Sequence, residues 1–334
     1  MNPQPDVARL IEDFAKARVL VVGDVMLDKY LWGDVQRICP EAPVPIVEEV
    51  RRSSVPGGMA NVAVNATTLG SHVAVGGVIG EDADGATLCE MLGRHGIDTS
   101  GLRTDPKRRT TAKTRIIAHN QQVVRIDRED RHPIPATVEQ DLSQWCSERL
   151  PAVDICVLSD YAKGVLTPAL ISRIIAVAGR HGRPVVVDPK GWDYQRYRGA
   201  SIITPNLHEA RLALTAAIGP PDDLSAIGAG LLRLLPGTAV LITRGPEGVS
   251  LFREGVAPLH IPSVARQVYD VTGAGDTLVA TLALALAVRC PLELAATLAN
   301  YSAGRAVGKV GTASVSSSEL REYLTAQTPS VPAK

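Results

Sequence analysis

The chain has 334 residues, with 35 acidic and 35 basic side chains and no long basic run. That balance argues against a nucleic-acid or polyanion surface, though it leaves room for a local basic pocket, and the length suits one large α/β domain or two small ones. The five cysteines (Cys39, Cys89, Cys146, Cys156 and Cys290) are scattered without a C-x-x-C, so they read as reduced thiols rather than a disulfide frame or zinc site. Met1 to Asp6 has neither a basic n-region nor an apolar core, so no signal peptide is expected. The longest apolar run, Leu278 to Val288 interrupted by Thr281, is too short to span a bilayer and reads as a buried helix. Cytoplasm is the expected compartment, and there the Asn65-Ala66-Thr67 sequon carries little weight.

In chain order, Val7 to Ala17 is an amphipathic helix candidate and Arg18 to Val22 a buried strand ended by Gly23-Asp24, with Asp28 beyond. Val44 to Val55 reads as extended, with Pro43 and Pro45 marking an irregular start. Pro56-Gly57-Gly58 breaks it before a helix from Met59 to Leu69. Two glycines there either make a plain turn or expose amides to a polyol or phosphate. Asn61, in the first turn, offers both a donor and an acceptor. His72 to Ile79 is a strand and Ala83 to His95 a helix. Thr110 to Ile117 and Gln122 to Ile126 read as a hairpin carrying Lys113, Arg115 and Arg125, with Arg128 just after.

Strands and helices then alternate, which predicts a doubly wound, mostly parallel sheet flanked by helices. Strands over Asp154–Leu158, Pro184–Val187, Ser201–Thr204 and Ala239–Thr243 interleave with helices over Thr167–His181, Leu207–Ala216 and Asp223–Leu235. Polar residues recur at the strand ends: Asp24, Asp160, Asp188, Asn206 and Arg244. Any one could serve a turn, but five together point to a ligand site along the carboxyl edge of the sheet. Gly245 to Gly248 is a turn between strands, Ala295 to Val307 is a helix, and the tail after Leu324 is expected to fray. No G-x-G-x-x-G follows a strand. Gly304 to Lys309 is one residue short of a P-loop and is followed by Val310 rather than Ser or Thr.

The chemistry concentrates at Asp270-Val271-Thr272-Gly273-Ala274-Gly275-Asp276, directly before the Ala- and Leu-rich helix. Gly273 and Gly275 permit close backbone approach, and the free amides and dipole of the helix start favour an anion, usually phosphate. A carboxylate beside such a site admits two readings. Asp276 is an acidic cap, or it is the base that takes a proton from the group attacking the phosphate.

That stretch matches the D-x-x-G-A-G-D signature of the ribokinase-like (PfkB) carbohydrate kinases, and Gly57-Gly58-Met59-Ala60-Asn61 resembles their second motif. The resemblance covers nearly the whole chain and implies one ribokinase-like domain over 1–334. It also implies a small β-sheet lid from 43–55 and 109–128, which often pairs two subunits, so a homodimer through the lid is expected. Val22 to Asp28, Ser159 to Gly164 and Asn206 to Glu209 resemble one branch of the family, which acts on D-glycero-D-manno-heptose 7-phosphate. The implied reaction moves the ATP γ-phosphoryl to the C1 hydroxyl, a step toward ADP-heptose for lipopolysaccharide.

The same resemblance implies the site residues. Asp276 is the base, beside the amides of Gly273, Ala274 and Gly275. Asp24, Gly57, Gly58, Asn61, Asp160 and Lys163 face the sugar, and Arg115 or Arg128 meets its phosphate. Lys190, Thr243 and Arg244 lie by the ATP phosphates, and Asn206 and Glu209 hold Mg²⁺ through water. Gly245, Gly248 and Asn300 border the nucleotide. A K⁺ site uses Asp270 and Thr272, with Val307 and Gly311. Two rivals stay open: a kinase of another sugar, such as a phosphofructokinase-like one, and a catalytically silent sugar-binding regulator. Because this branch is often fused to a cytidylyltransferase, any nucleotidyl transfer is expected from a separate protein.

Overall fold

Runs of β-branched residues alternate with Ala- and Leu-rich runs, and the chain folds that alternation into strand–helix units. The computed structural model describes residues 7–119, 121–219, 221, 223–265, 271–309 and 314–327. Its strands are β1 (Arg18–Gly23), β2 (Val25–Ile38), β3 (Pro45–Gly58), β4 (His72–Gly80), β5 (Asp98–Asp105), β6 (Ala112–Ala118), β7 (Gln121–Arg128), β8 (Ile155–Ser159), β9 (Val185–Asp188), β10 (Ile202–Ile203), β11 (Ala239–Thr243), β12 (Val249–Arg253) and β13 (Val256–Ile261). The helices are α1 (Val7–Asp13), α2 (Met59–Thr68), α3 (Ala83–Arg94), α4 (Ala136–Arg149), α5 (Pro168–Arg180), α6 (Leu207–Ile218), α7 (Leu224–Leu234), α8 (Ala274–Ala287), α9 (Leu292–Ala306) and α10 (Ser317–Gln327). No described helix is long and apolar enough to cross a membrane.

A nine-stranded sheet has the order β13-β12-β11-β10-β9-β8-β1-β4-β5. From β11 to β5 every pairing is parallel, and β12 and β13 close one edge antiparallel. Period-two alternation buries both faces. Val19 and Val21 enter one core with α2, α8 and α9, while Leu20 and Val22 enter the other with α4, α5 and α7. α8 is buried from Asp276 to Ala285, which is why its sequence is apolar on all sides.

A second sheet, β3-β2-β6-β7, rises from the carboxyl edge. Its core is β2, paired antiparallel with β3 and parallel with β6. The expected lid segments 43–55 and 109–128 fall in this sheet, but the reading of the sequence missed β2 itself, together with β5 and α4. Val25–Ile38 interleaves charged residues with apolar ones and carries Gly33 mid-strand, so neither a clean alternation nor a buried run marks it. The Gly23-Asp24 break, expected as a turn, is a close approach. A Cβ on Gly23 would lie 1.9 Å from the Ser159 carbonyl oxygen.

Gly58 joins the second sheet to the core, ending β3 and preceding α2 at φ +57°, ψ −134°, a conformation open essentially to glycine alone. A Cβ there would lie 2.6 Å from Met26 Cε and 2.8 Å from the Asp24 carbonyl oxygen. We expect Gly58→Ala to cost about 2 kcal/mol in urea unfolding, from strain and clash together. An unchanged midpoint would show that this junction relaxes freely.

Candidate active site

Parallel register sets the site's floor. Gly23 pairs with Ser159 and Ser159 with Asp188, while Asn206 bridges to Thr243. The strand ends singled out in the sequence therefore lie side by side at one edge. Across from them α8 begins at Gly273, which takes the left-handed conformation at φ +80°.

Asp276, in the first turn of α8, is 7% exposed. Its Oδ2 accepts from Asn61 Nδ2 at 2.6 Å, and its Oδ1 accepts from the Tyr161 hydroxyl at 2.6 Å. Burial pushes its pKa up to about 6, with both donors pulling down and the nearby Asp28 carboxylate pushing further up. The group is thus ionised at neutral pH yet basic enough to take a proton. The tyrosine is the opposite case. Burial and the adjoining carboxylates raise the Tyr161 phenol well above its usual value, so it remains a donor.

Several expected sugar contacts are engaged otherwise. Asp24, 1% exposed, accepts from the backbone amides of Tyr161 (2.9 Å), Lys163 (3.1 Å) and Val165 (3.1 Å). It shapes the loop that presents Tyr161 rather than facing the site as a free acceptor. Asn61 is committed to Asp276. Asp160 accepts from Arg196 (2.6 Å) and Tyr197 (2.8 Å), and from the Ala162 amide (2.7 Å). Gly57 and Gly58 end β3 and line neither cavity, and a Cβ on Gly57 would lie 2.4 Å from Asp28 Oδ2. Asp28, noted in the sequence beside the Asp24 strand end, was given no specific role there. It is buried on β2, faces Asp276, and accepts from Arg115 at 2.6 Å. Recognising β2 was the signal that would have supplied that role.

The two lid arginines separate. Arg115 borders the site through Asp28, with its guanidinium 5.3 Å from the Tyr30 ring centroid. Arg128 turns away, onto Asp82 and Asp84. Lys163 sits 2.7 Å from Glu129, which also meets Arg131 and Lys113.

Two cavities meet at Thr243, Gly275 and Leu278. One, of about 200 Å³, is lined by Asp160, Tyr161, Asp188, Lys190, Asn206, Glu209, Gly273 and Asp276. The other, of about 220 Å³, runs between Gly245, Gly248, Ala274, Asn300 and Val307 and is mostly apolar. Lys190 pairs with Glu209 at 2.5 Å, and Asn206 and Glu209 cap α6 reciprocally. Asn300 donates to the Pro262 carbonyl at 2.9 Å. Arg244 departs from expectation. It folds back on Glu247 at 2.6 Å and lines neither cavity. Of the expected K⁺ ligands, Asp270 and Gly311 lie outside the described residues. Val307 lines the apolar cavity.

Asp188 was read as a strand end but not as a site residue. Burial, then Asp276 and Glu209, push its pKa well up, with Lys190 opposing. A divalent cation would relieve that repulsion, and Asp188, Asn206 and Glu209 present the oxygens a hard cation takes. Among the described residues no three His, Cys, Asp or Glu side chains could hold a metal by themselves. An ion here fits when it arrives with further oxygens, as nucleotide phosphates supply.

The sequence matches the family model described as pfkB family carbohydrate kinase over residues 16–319. Among curated relatives it is 49% identical over 310 residues to the "Bifunctional protein HldE" of Geobacter metallireducens, covering 92% of this chain and 63% of that one. The chain spans just under two thirds of the length of the curated relatives it matches. Among solved structures it is similar in fold to Arabidopsis thaliana ribokinase complexed with ribose and ATP. The TM-score is 0.71 at 20% identity, with 92% of this chain and 98% of that one covered. It is also similar to Escherichia coli phosphofructokinase-2 in complex with potassium, with a TM-score of 0.73 at 18% identity over 92% and 99% of the two chains. With a family model spanning nearly all of its length, and with the family's two motifs meeting at Asn61 and Asp276, this chain belongs to the pfkB family of carbohydrate kinases.

Proposed function

We propose that the protein is an ATP-dependent kinase that phosphorylates the C1 hydroxyl of D-glycero-D-manno-heptose 7-phosphate, giving the 1,7-bisphosphate. The observation that carries the kinase reading is the buried Asp276 carboxylate, held by Asn61 and Tyr161 at the start of α8 where two cavities join. The heptose acceptor draws its support from the stretches around Asp24, Asp160 and Asn206 that resemble that branch. Lys163 and Lys113, both largely buried around Glu129, suit the sugar's phosphate.

In this reading the adenosine occupies the apolar cavity and its phosphates pass Thr243 and Gly275. The acceptor hydroxyl lies against Asp276, which takes its proton as the oxygen attacks phosphorus. The amides of Ala274, Gly275 and Asp276 face the charge spreading over the phosphoryl oxygens, a preorganised stabilisation that needs no rearrangement at the moment of transfer. Asp188, Asn206 and Glu209 would hold Mg²⁺ with the nucleotide, and the ion would supply charge neutralisation. The family's potassium-bound relative supports a K⁺ behind the anion site near Thr272. Asp28 and Arg115 bring the four-stranded sheet over the acceptor as a lid. Its exposed Val50, Val124 and Ile126 suit a second copy of the chain, and cytoplasm remains the proposed compartment.

Asp276→Asn should lower kcat roughly a thousandfold with ATP affinity retained, and Tyr161→Phe about tenfold. The wild-type rate should fall as pH drops through about 6, because a protonated Asp276 cannot accept. Near-normal turnover of Asp276→Asn would remove it as the base.

Gly275→Ala separates chemistry from folding. A Cβ there meets no protein atom within 4 Å, and a helix favours Ala over Gly by about 0.5–1 kcal/mol. The variant should melt no lower than wild type, yet lose most activity as the methyl enters the phosphoryl path. Full activity would place the phosphates elsewhere.

A panel of heptose 7-phosphate, sedoheptulose 7-phosphate, fructose 6-phosphate and ribose, read by ADP release, tests the acceptor. Activity should be confined to the heptose, and Lys163→Ala should weaken phosphorylated acceptors more than unphosphorylated ones. Equal losses would take Lys163 away from the phosphate, and turnover of another member would replace the heptose while keeping the base.

A further inference from the structure

The hydrogen bond from Asn61 to Asp276 exists only with the amide turned one way. Nδ2 must face Asp276 Oδ2, because the reverse sets a carbonyl oxygen against a carboxylate at 2.6 Å. The carboxylate favours this orientation, and the partner on the amide oxygen decides how firmly it is held. With Nδ2 on the base, Asn61 Oδ1 faces Asn65 Nδ2, 3.2 Å away and one turn along α2. Asn65 also donates to the Asn61 carbonyl at 2.9 Å. Its own Oδ1 lies 3.0 Å from Thr277 Oγ, on α8 next to the base. The hydroxyl has a second acceptor in the Gly273 carbonyl, also at 3.0 Å.

All three residues are inside the protein: Asn61 is 4% exposed, Asn65 1% and Thr277 0%. Side-chain amides between two packed helices are costly unless each end is satisfied. Here every donor has one sense, from Thr277 to Asn65, from Asn65 to Asn61 and from Asn61 to Asp276. The buried Asn65 also removes the sequon from consideration as a surface site.

We propose that Asn65 and Thr277 are positioning residues for the phosphoryl-transfer base: they orient the Asn61 amide so that an N–H stays on Asp276 Oδ2. The inference rests on the reading of Asp276 as the base. The charged and titratable groups facing Asp276 explain why the donor matters. Asp28 from β2 opposes its ionisation, Arg115 is committed to Asp28, Tyr161 supplies the other donor, and Asp188 from β9 has its own pKa pushed up by Asp276. Without the chain, the Asn61 amide oxygen loses its partner, its donation to Asp276 weakens, and the carboxylate is left leaning on Tyr161 against the Asp28 charge.

The test is the pH dependence of kcat in Asn65→Leu, Thr277→Val and Thr277→Ser, with KM for both substrates. In Asn65→Leu the acidic limb should move up by about one pH unit. The rate should drop about fivefold at pH 6 and recover at high pH, with each KM within about twofold. Thr277→Val should move the limb the same way by less, and Thr277→Ser, which keeps the hydroxyl, should restore it. A folded Asn65→Leu with an unmoved limb, or an equal loss at every pH, would overturn the proposal. If Asn65→Leu does not fold, the Thr277 pair decides, and Val and Ser behaving alike would overturn it. Failure of the underlying reading looks different: Asp276→Asn would itself turn over at a normal rate.

Discussion

The Asp276 carboxylate is taken out of water yet kept ionised, and much of the surrounding architecture answers to that tension. Burial alone would protonate the group near neutrality. Two short hydrogen bonds oppose this, one from α2 through Asn61 and one from the loop after β8 through Tyr161. Both donors come from elements far away in sequence. The carboxylate therefore has both donors only when α2, α8 and the β8 loop are packed together.

The loop after β8 has its own support. Asp24, at the end of β1, accepts three of its amides, and Ala162 takes a left-handed φ of +54° within it. Arg108, between β5 and β6, ties the same loop to the segment after β7, donating to the carbonyls of Lys163 and His132. Asp160 takes Arg196, and Arg196 reaches on to the Lys190 carbonyl at 3.0 Å. Asp24 thus acts one step back, holding the backbone that presents groups in the cavity, whereas Asp160 lines the cavity while anchoring Arg196. Fixed dipoles and preset side chains are what phosphoryl transfer asks of a protein.

Glycine does two different jobs here. Gly58 and Gly273 have backbone angles that other residues reach only with strain. Gly275 has none of this, being an ordinary helical residue beside open space where both cavities meet. The first pair shapes the chain, whereas Gly275 leaves room beside the helix amides. A motif with glycines three and five residues before a helix interior looks uniform in sequence, and only the conformation separates the roles.

Much was legible beforehand. Alternating strand and helix runs determined the parallel sheet, because each pattern has one stable way to bury its apolar face. The Gly-Ala-Gly-Asp run before an apolar helix determined the helix start and its acid. The polar strand ends determined which edge carries the site. What stayed hidden shares one cause: those features depend on partners distant in the chain. β2 is a strand because β3 and β6 flank it, not through any clear period of its own, and the pairing of Asp28 with Arg115 stayed hidden with it. Asp24, Asp160, Arg128 and Arg244 were identified by type and position, but a carboxylate or guanidinium serves whichever partner packing brings closest. Local sequence determined where polar groups would gather, and tertiary packing decided which would face the cavities and which would hold the others in place.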